Sequence, residues 1–196
     1  SQTVGLIHLT KPKTPSILEG VFSSLEESSM GKEEQGIDQQ RYCVIPRTMV
    51  LLFHANEVLL LKGAATKKRW AKKYNGLGGH IERGEDALTA ARRELREESG
   101  LVDVPLHLCG TIVCDVEDQI GVLIFVYKGE VDKVPLKPGD EGTLEWIPLS
   151  EFDQLPVVED LKVIVPRVFA WQVGDSPFSA TNQYDEEERL ITQFFE

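Results

Sequence analysis

Cysteine is scarce: three in 196 residues, at Cys43, Cys109 and Cys114, with no C-x-x-C pair among them. That excludes a disulfide-stapled scaffold and a clustered-thiol metal site, and it fits a reducing, cytoplasmic setting. The apolar neighbours of all three predict buried, inert thiols. No apolar run approaches the length of a bilayer span, so no membrane association is expected. The opening residues, SQTVGLIHLTKPK, contain no basic segment leading into an apolar core, so no secretory signal is expected in them. Positive charge is also in short supply, with 21 Lys and Arg against 32 Asp and Glu and a net charge of −11. A chain this acidic lacks the basic face that general binding to a nucleic-acid backbone needs.

What remains is ordinary globular material. Apolar residues make up 41% and charged residues 27%, in a chain long enough to bury a real core. Residues 1–40 differ from the rest, being rich in Ser, Gln, Glu, Lys and Gly. They read as an extension that covers the domain or helps two copies form a homodimer; a loosely ordered tail is the alternative. Residues 16–28 are spaced for one short amphipathic helix. Residues 41–196 read as one catalytic-sized domain of alternating β and α pattern. Thr48 to Phe53 and Glu57 to Lys62 flank His54-Ala55-Asn56 as a hairpin. Lys67 to Gly79 is a basic, glycine-rich loop. Leu106 to Val116, Ile120 to Tyr127 and Thr143 to Ile147 read as strands. Glu159 to Trp171 reads as a helix bent at Pro166. Phe178 to Phe195 predicts a last hairpin. The class is α/β, with a mixed sheet between helices.

The densest chemistry lies between Gly79 and Leu101, in GHIERGEDALTAARRELREESGL. Residues 85–99 are strong helix formers with acidic residues expected in the first turn and Gly100 as a stop. At about 100° per residue, Glu94, Glu97 and Glu98 fall within roughly 100° of arc. Leu88, Ala91 and Leu95 occupy the neighbouring arc and are expected to bury. One helix therefore packs on one side and gathers three carboxylates on the other. Such carboxylates repel one another unless a cation neutralises them. Hard oxygen ligands at that density suit Mg2+ or Mn2+. The plain alternative is a solvated acidic helix with pairs such as Arg93 with Glu97.

Gly79, Glu85, Arg93, Glu94, Leu95, Glu97, Glu98, Gly100 and Leu101 together resemble the signature box of the Nudix hydrolases, in the MutT-like group. The resemblance covers about residues 43–171 and implies an α/β/α sandwich. It also implies hydrolysis of the pyrophosphate linkage of a nucleotide. Glu94, Glu97 and Glu98 would then hold the metal, joined by the carbonyl of Gly78. Arg93 and Glu85 would orient the carboxylates. Glu141, in PGDEGTLEWIPL, resembles the loop glutamate that some members use as general base; Asp140 and Glu145 are rivals.

A basic cluster precedes the box: Lys67, Lys68, Arg69, Lys72 and Lys73, interleaved with Trp70 and Tyr74, with Lys62 at the end of its strand. In an acidic chain, these residues are candidates for holding substrate phosphates. Trp70 either stacks on a base or anchors the loop. Arg69-Trp70 and, after the inserted Ala71 to Tyr74, Asn75-Gly76-Leu77-Gly78-Gly79 resemble the run Arg-Trp-Asn-Gly-Phe-Gly-Gly of animal enzymes that hydrolyse oxidised purine nucleotides, with Leu77 for the phenylalanine; there the asparagine contacts the base. Asp160, in Glu159-Asp160, stands where those enzymes carry an acidic pair. Val157-Val158 replaces the aromatic residue expected before it, which predicts broad base tolerance. Other readings are an ADP-ribose or nucleotide-sugar pyrophosphatase, and a module that senses a nucleotide without cleaving it. The complete set of box carboxylates favours catalysis.

Overall fold

The computed structural model describes residues 32–36, 38, 40–65, 70–133, 135–136 and 142–195. The chain divides into two units, residues 1–38 and 39–196. In the first, a 3-10 turn spans Lys32–Gln35. The short helix expected over residues 16–28 lies outside the described residues.

The second unit is built on one eight-stranded mixed sheet. Its strands are β1 (Cys43–His54), β2 (Glu57–Gly63), β3 (Tyr74–Asn75), β4 (His107–Glu117), β5 (Ile120–Glu130), β6 (Gly142–Pro148), β7 (Phe178–Tyr184) and β8 (Leu190–Phe195). The order across the sheet is β3-β2-β1-β5-β4-β7-β8, with β6 pairing β2. β1 with β5 and β4 with β7 are parallel; the remaining pairs are antiparallel.

Two helices cover the two faces. α1 (Ala87–Ser99) buries Ala91 and Leu95 against Val50, Leu52, Leu59 and Tyr127. α2 (Leu161–Ala170) buries Leu161, Ile164, Val165 and Val168 against Leu51, Phe53, Ile112 and Val126. The period-2 alternation of β1 explains the split, since Val50 and Leu52 face one helix and Leu51 and Phe53 the other. The α/β/α sandwich and mixed sheet expected from the sequence are present.

Local chemistry sets the helix ends. Asp86 caps α1, its Oδ1 accepting from Leu88 N at 2.9 Å and Thr89 N at 3.0 Å. The first turn of α1 holds no acidic residue, so the expected one is corrected: Glu85 and Asp86 precede the helix. Gly100 ends it at φ 76°. The C-terminal end of α2 is capped by Lys128 of β5, which lies on the sheet face that α2 covers. Its Nζ donates to Phe169 O at 3.1 Å and Trp171 O at 2.8 Å. The loop before the box also contains an unforeseen strand. Tyr74–Asn75 pairs β2, and Tyr74 exchanges backbone hydrogen bonds with Pro156 and Val158 at 2.9 Å each.

Candidate active site

The box loop is stitched to β1. Val50 N donates to Leu77 O at 2.7 Å and Thr48 N to Gly79 O at 2.8 Å. Between those two carbonyls, that of Gly78 has no donor among the described residues. Gly78 adopts φ +127°, and a Cβ there would lie 2.3 Å from Thr48 O, so no side chain fits. A Cβ on Gly79 would lie 2.4 Å from Glu94 Oε1. The two glycines thus let the Glu94 carboxylate lie directly against the loop backbone. Glu98 reaches the same loop, its Oε2 accepting from Gly78 N at 2.8 Å.

Arg93 organises the carboxylates. It donates to both oxygens of Glu85, at 2.8 and 3.0 Å, to Glu94 Oε1 at 2.8 Å and to His80 O at 3.0 Å. It also reaches Glu97 Oε2 at 3.3 Å, the i,i+4 pair of an ordinary helix surface. The bidentate guanidinium holds the Glu85 carboxyl below its usual range. Those carboxylates in turn raise the pKa of Arg93.

The donors at this end suit a hard divalent cation. They are two carboxylates, Glu94 and Glu98, and the Gly78 carbonyl left without a donor, all on one cavity of about 620 Å³. Among the described residues no three His, Cys, Asp or Glu side chains are already gathered as a ligand set. Glu94 is held by Arg93, and the Glu97 side chain is 53% exposed, beside Arg93 and off the cavity wall. The residues fit the ion by chemistry; closing a shell requires Glu94 and Glu97 to share or exchange their arginine partner.

The same cavity runs to an apolar end floored by the sheet. Val122, Ile124 and Cys114 line it, with Val158 and Trp70 on the walls. Asn75 and Asp160 both face this cavity. The Tyr74 link to Pro156 and Val158 brings them together, by tying the box loop to the segment entering α2. Asn75 Oδ1 accepts from Gly76 N at 2.9 Å, and its amide NH2 has no acceptor among the described residues. Asp160 is 8% exposed. Its Oδ2 accepts from Asn182 Nδ2 at 3.1 Å, while Thr192 Oγ1 donates to Asn182 Oδ1 at 2.7 Å. Among the described residues Asp160 Oδ1 is buried without a hydrogen-bond partner. Burial pushes the Asp160 carboxyl above the usual carboxylate range.

The other residues singled out in the sequence fall variously. Lys73 lines the cavity, whereas Lys62 and Lys72 do not. Lys62 Nζ sits 3.7 Å from Glu145 Oε1 and 5.0 Å from the Tyr74 ring centroid. Glu145 also accepts from Tyr74 Oη at 2.6 Å, so the rival base is engaged away from the cavity. Lys67, Lys68, Arg69, Asp140 and Glu141 lie outside the described residues. Cysteine needs correcting: Cys43 is exposed, because it stands at the start of β1, and only Cys109 is fully buried. Burial and the Asp160 charge push the Cys114 thiol up to about 11, so it is unreactive although it lines the cavity.

Sequence reading missed Arg47, Thr48, Glu82, Cys114, Asn182 and Tyr184, all on the cavity wall. Arg47 had one legible signal. Stepping back by two from Phe53, Leu51 and Met49 puts a cation on the core face of β1. Asn182 had none, since only the β4–β7 pairing brings it beside the start of α2.

Comparison with known proteins agrees with this architecture. Residues 45–168 match the family model described as NUDIX domain. The chain is 42% identical over 114 residues to the oxidized purine nucleoside triphosphate hydrolase of Mus musculus, covering 57% of this chain and 69% of that protein. It is 35% identical over 121 residues to the protein of the same name from Danio rerio, covering 52% and 76%. A MutT protein from Bacillus halodurans superposes with a TM-score of 0.64 at 24% identity, over 76% of this chain and 97% of that one. Signature helix, glycine loop and sheet order therefore have one explanation: the chain belongs to the Nudix hydrolases, as a MutT-like pyrophosphohydrolase.

Proposed function

We propose that the chain hydrolyses a purine nucleoside triphosphate, oxidised purines included, to the monophosphate and pyrophosphate, using Mg2+ or Mn2+. The observation that carries this reading is the single cavity. It has hard oxygen donors at one end and, at the other, an apolar floor edged by Asn75 and Asp160. The names of the two hydrolase relatives support the same substrate class.

Glu94 and Glu98, with Glu97 beside them and the Gly78 carbonyl, are the groups that would hold the ion. When bound, the ion neutralises charge on the bridging oxygens and lowers the pKa of an attacking water. Arg93 fixes the carboxylates, so their geometry is set before substrate arrives. Lys73, on the cavity wall, is the proposed partner of a phosphate oxygen, and Arg69 and Lys72 belong to the same basic run. Glu141 remains the proposed loop base. Asn75 gives a donor and Asp160 Oδ1 a second polar atom to the edge of a purine, while Asn182 and Thr192 keep that carboxyl from turning. Trp70, 45% exposed on the cavity wall, supplies the aromatic surface that Val157-Val158 does not.

The test is a product-resolved screen of nucleoside triphosphates, dinucleotides and nucleotide sugars with Mg2+ and with Mn2+. Purine triphosphates yielding monophosphate and pyrophosphate support the reading. Turnover confined to ADP-ribose or nucleotide sugars contradicts it.

A further inference from the structure

Arg47 is a cation without an anion. Its Nε is buried and has no hydrogen-bond partner. Among the described residues its guanidinium meets no carboxylate and no other acceptor, yet it lines the nucleotide cavity. Arg47 as a whole is only partly buried, but an Nε–H shut off from water without a partner is costly, so the arrangement suits a group that brings its own acceptor.

The strand pattern says where that acceptor lies. Met49, Leu51 and Phe53 point to the α2 face of the sheet, and Arg47 continues their alternation. The carboxylate of Glu94 lies against Gly79 and belongs to helix α1, which covers the opposite face. Arg47 is therefore on the base side. Its strand neighbour is Ile124, and the adjoining pairs are Val122 with Cys114 and Cys114 with Asn182. Arg47 and Asn182 are three strand steps and two residues of register apart, about 16 Å at the backbone, at about 4.8 Å per step and about 3.3 Å per residue. Between them lies the apolar floor of Ile124, Val122 and Cys114. Beyond it, Asn182 holds Asp160 at 3.1 Å. The cavity thus offers a flat apolar surface with a pure donor at one edge and a carboxyl at the other.

We propose that Arg47 is a specificity-determining residue that donates to the 6-keto oxygen of the bound purine, so that 6-keto purines are preferred to 6-amino purines. A guanidinium has donors only, and an exocyclic amine cannot satisfy it. A keto oxygen can, and oxidation of a purine ring adds a further one. This rests on the nucleotide reading above and adds the residue that discriminates among bases.

The experiment measures KM and kcat for GTP, ITP and ATP with the wild-type chain, Arg47→Met and Arg47→Lys. Arg47→Met is expected to raise KM for GTP and ITP about tenfold or more and to leave ATP within twofold, as fits loss of one charged hydrogen bond. Arg47→Lys keeps the charge and is expected to restore part of the preference. Equal increases for all three nucleotides would assign Arg47 to phosphate or ribose and overturn the proposal, as would no change. Thermal melts guard against misfolding: removing an unpaired charge should leave Tm unchanged or higher. If the wild type hydrolyses no nucleoside triphosphate, the reaction reading fails on its own. Calorimetric binding of guanosine and adenosine then decides the Arg47 question. Loss of the guanosine preference in Arg47→Met supports it, and an unaltered preference overturns it.

Discussion

Alanine at Gly78 and alanine at Gly79 should fail in opposite ways, although the residues are adjacent and the change is one methyl group. At Gly78 the backbone is at φ +127°, and the new Cβ would sit 2.3 Å from Thr48 O, 2.9 Å from Thr48 C and 3.2 Å from Met49 Cα. All three are backbone atoms of a buried strand, so the loop must move. The φ alone costs about 1–3 kcal/mol in an L residue. Moving the loop stretches the bonds from Val50 N to Leu77 O and from Thr48 N to Gly79 O, 2.7 and 2.8 Å long, each worth about 1 kcal/mol net. Gly78→Ala should therefore destabilise the fold by about 3–5 kcal/mol. At Gly79 the three atoms nearest the new methyl all belong to the Glu94 carboxylate, with Oε1 at 2.4 Å and Cδ at 2.6 Å. A side chain can swing away at the cost of its 2.8 Å bond from Arg93, about 1 kcal/mol. A carboxylate displaced by about 1 Å should nonetheless lower kcat about 10²-fold. Urea unfolding of both variants beside their kinetics checks this. A loss below about 1 kcal/mol in Gly78→Ala, or a Gly79→Ala enzyme with wild-type kcat, would refute the reasoning.

Three further outcomes are expected. Lys128→Met keeps the buried stem but removes the donor to Phe169 O and Trp171 O; denaturation should show a loss of about 2–4 kcal/mol, and a change within 0.5 kcal/mol, about that of a neutral surface substitution, would deny the cap. Asp160 has a raised carboxyl pKa in the fold, so its charge penalises folding at pH above that value, and the penalty vanishes as pH falls below the ordinary carboxylate range. Asp160→Asn should thus gain most in Tm over wild type near about pH 8 and lose that advantage towards about pH 4; a gap independent of pH contradicts it. Trp70→Ala should raise KM for purine triphosphates about fivefold or more, with kcat and Tm little changed, as fits loss of a stacking surface. A fall in Tm with KM unchanged would make Trp70 a loop anchor instead.

The legible parts of the sequence were those written in short-range spacing. The box helix, its glycine stop, the β1–β2 hairpin and the last hairpin all depend on neighbours within one or two turns, and each is present. What escaped depends on long-range pairing. β1 begins at Cys43 rather than Thr48, because the parallel ladder with β5 extends from Cys43 opposite Ile120. β3 exists through pairing with β2 and the link from Tyr74 to Pro156 and Val158. Spacing placed Glu97 on one arc with Glu94 and Glu98. It also allowed the i,i+4 pair of Glu97 with Arg93, which is present, but it did not show that Arg93 would hold Glu94 and the His80 carbonyl at the same time. The apolar end of the cavity has its floor on the β4–β5 hairpin, but its edges come from β1 and β7, far away in sequence, and no local pattern lists its members.

The central claim is that the Glu94 and Glu98 end of the cavity performs the hydrolysis. The most direct measurement is kcat of Glu98→Gln at saturating Mg2+ on the best purine triphosphate. The swap keeps the shape and an oxygen to accept from Gly78 N, now 2.8 Å from Glu98 Oε2, and removes only the charge. The account predicts a fall of about 10²-fold or more with Tm preserved. Turnover within twofold of wild type would contradict it.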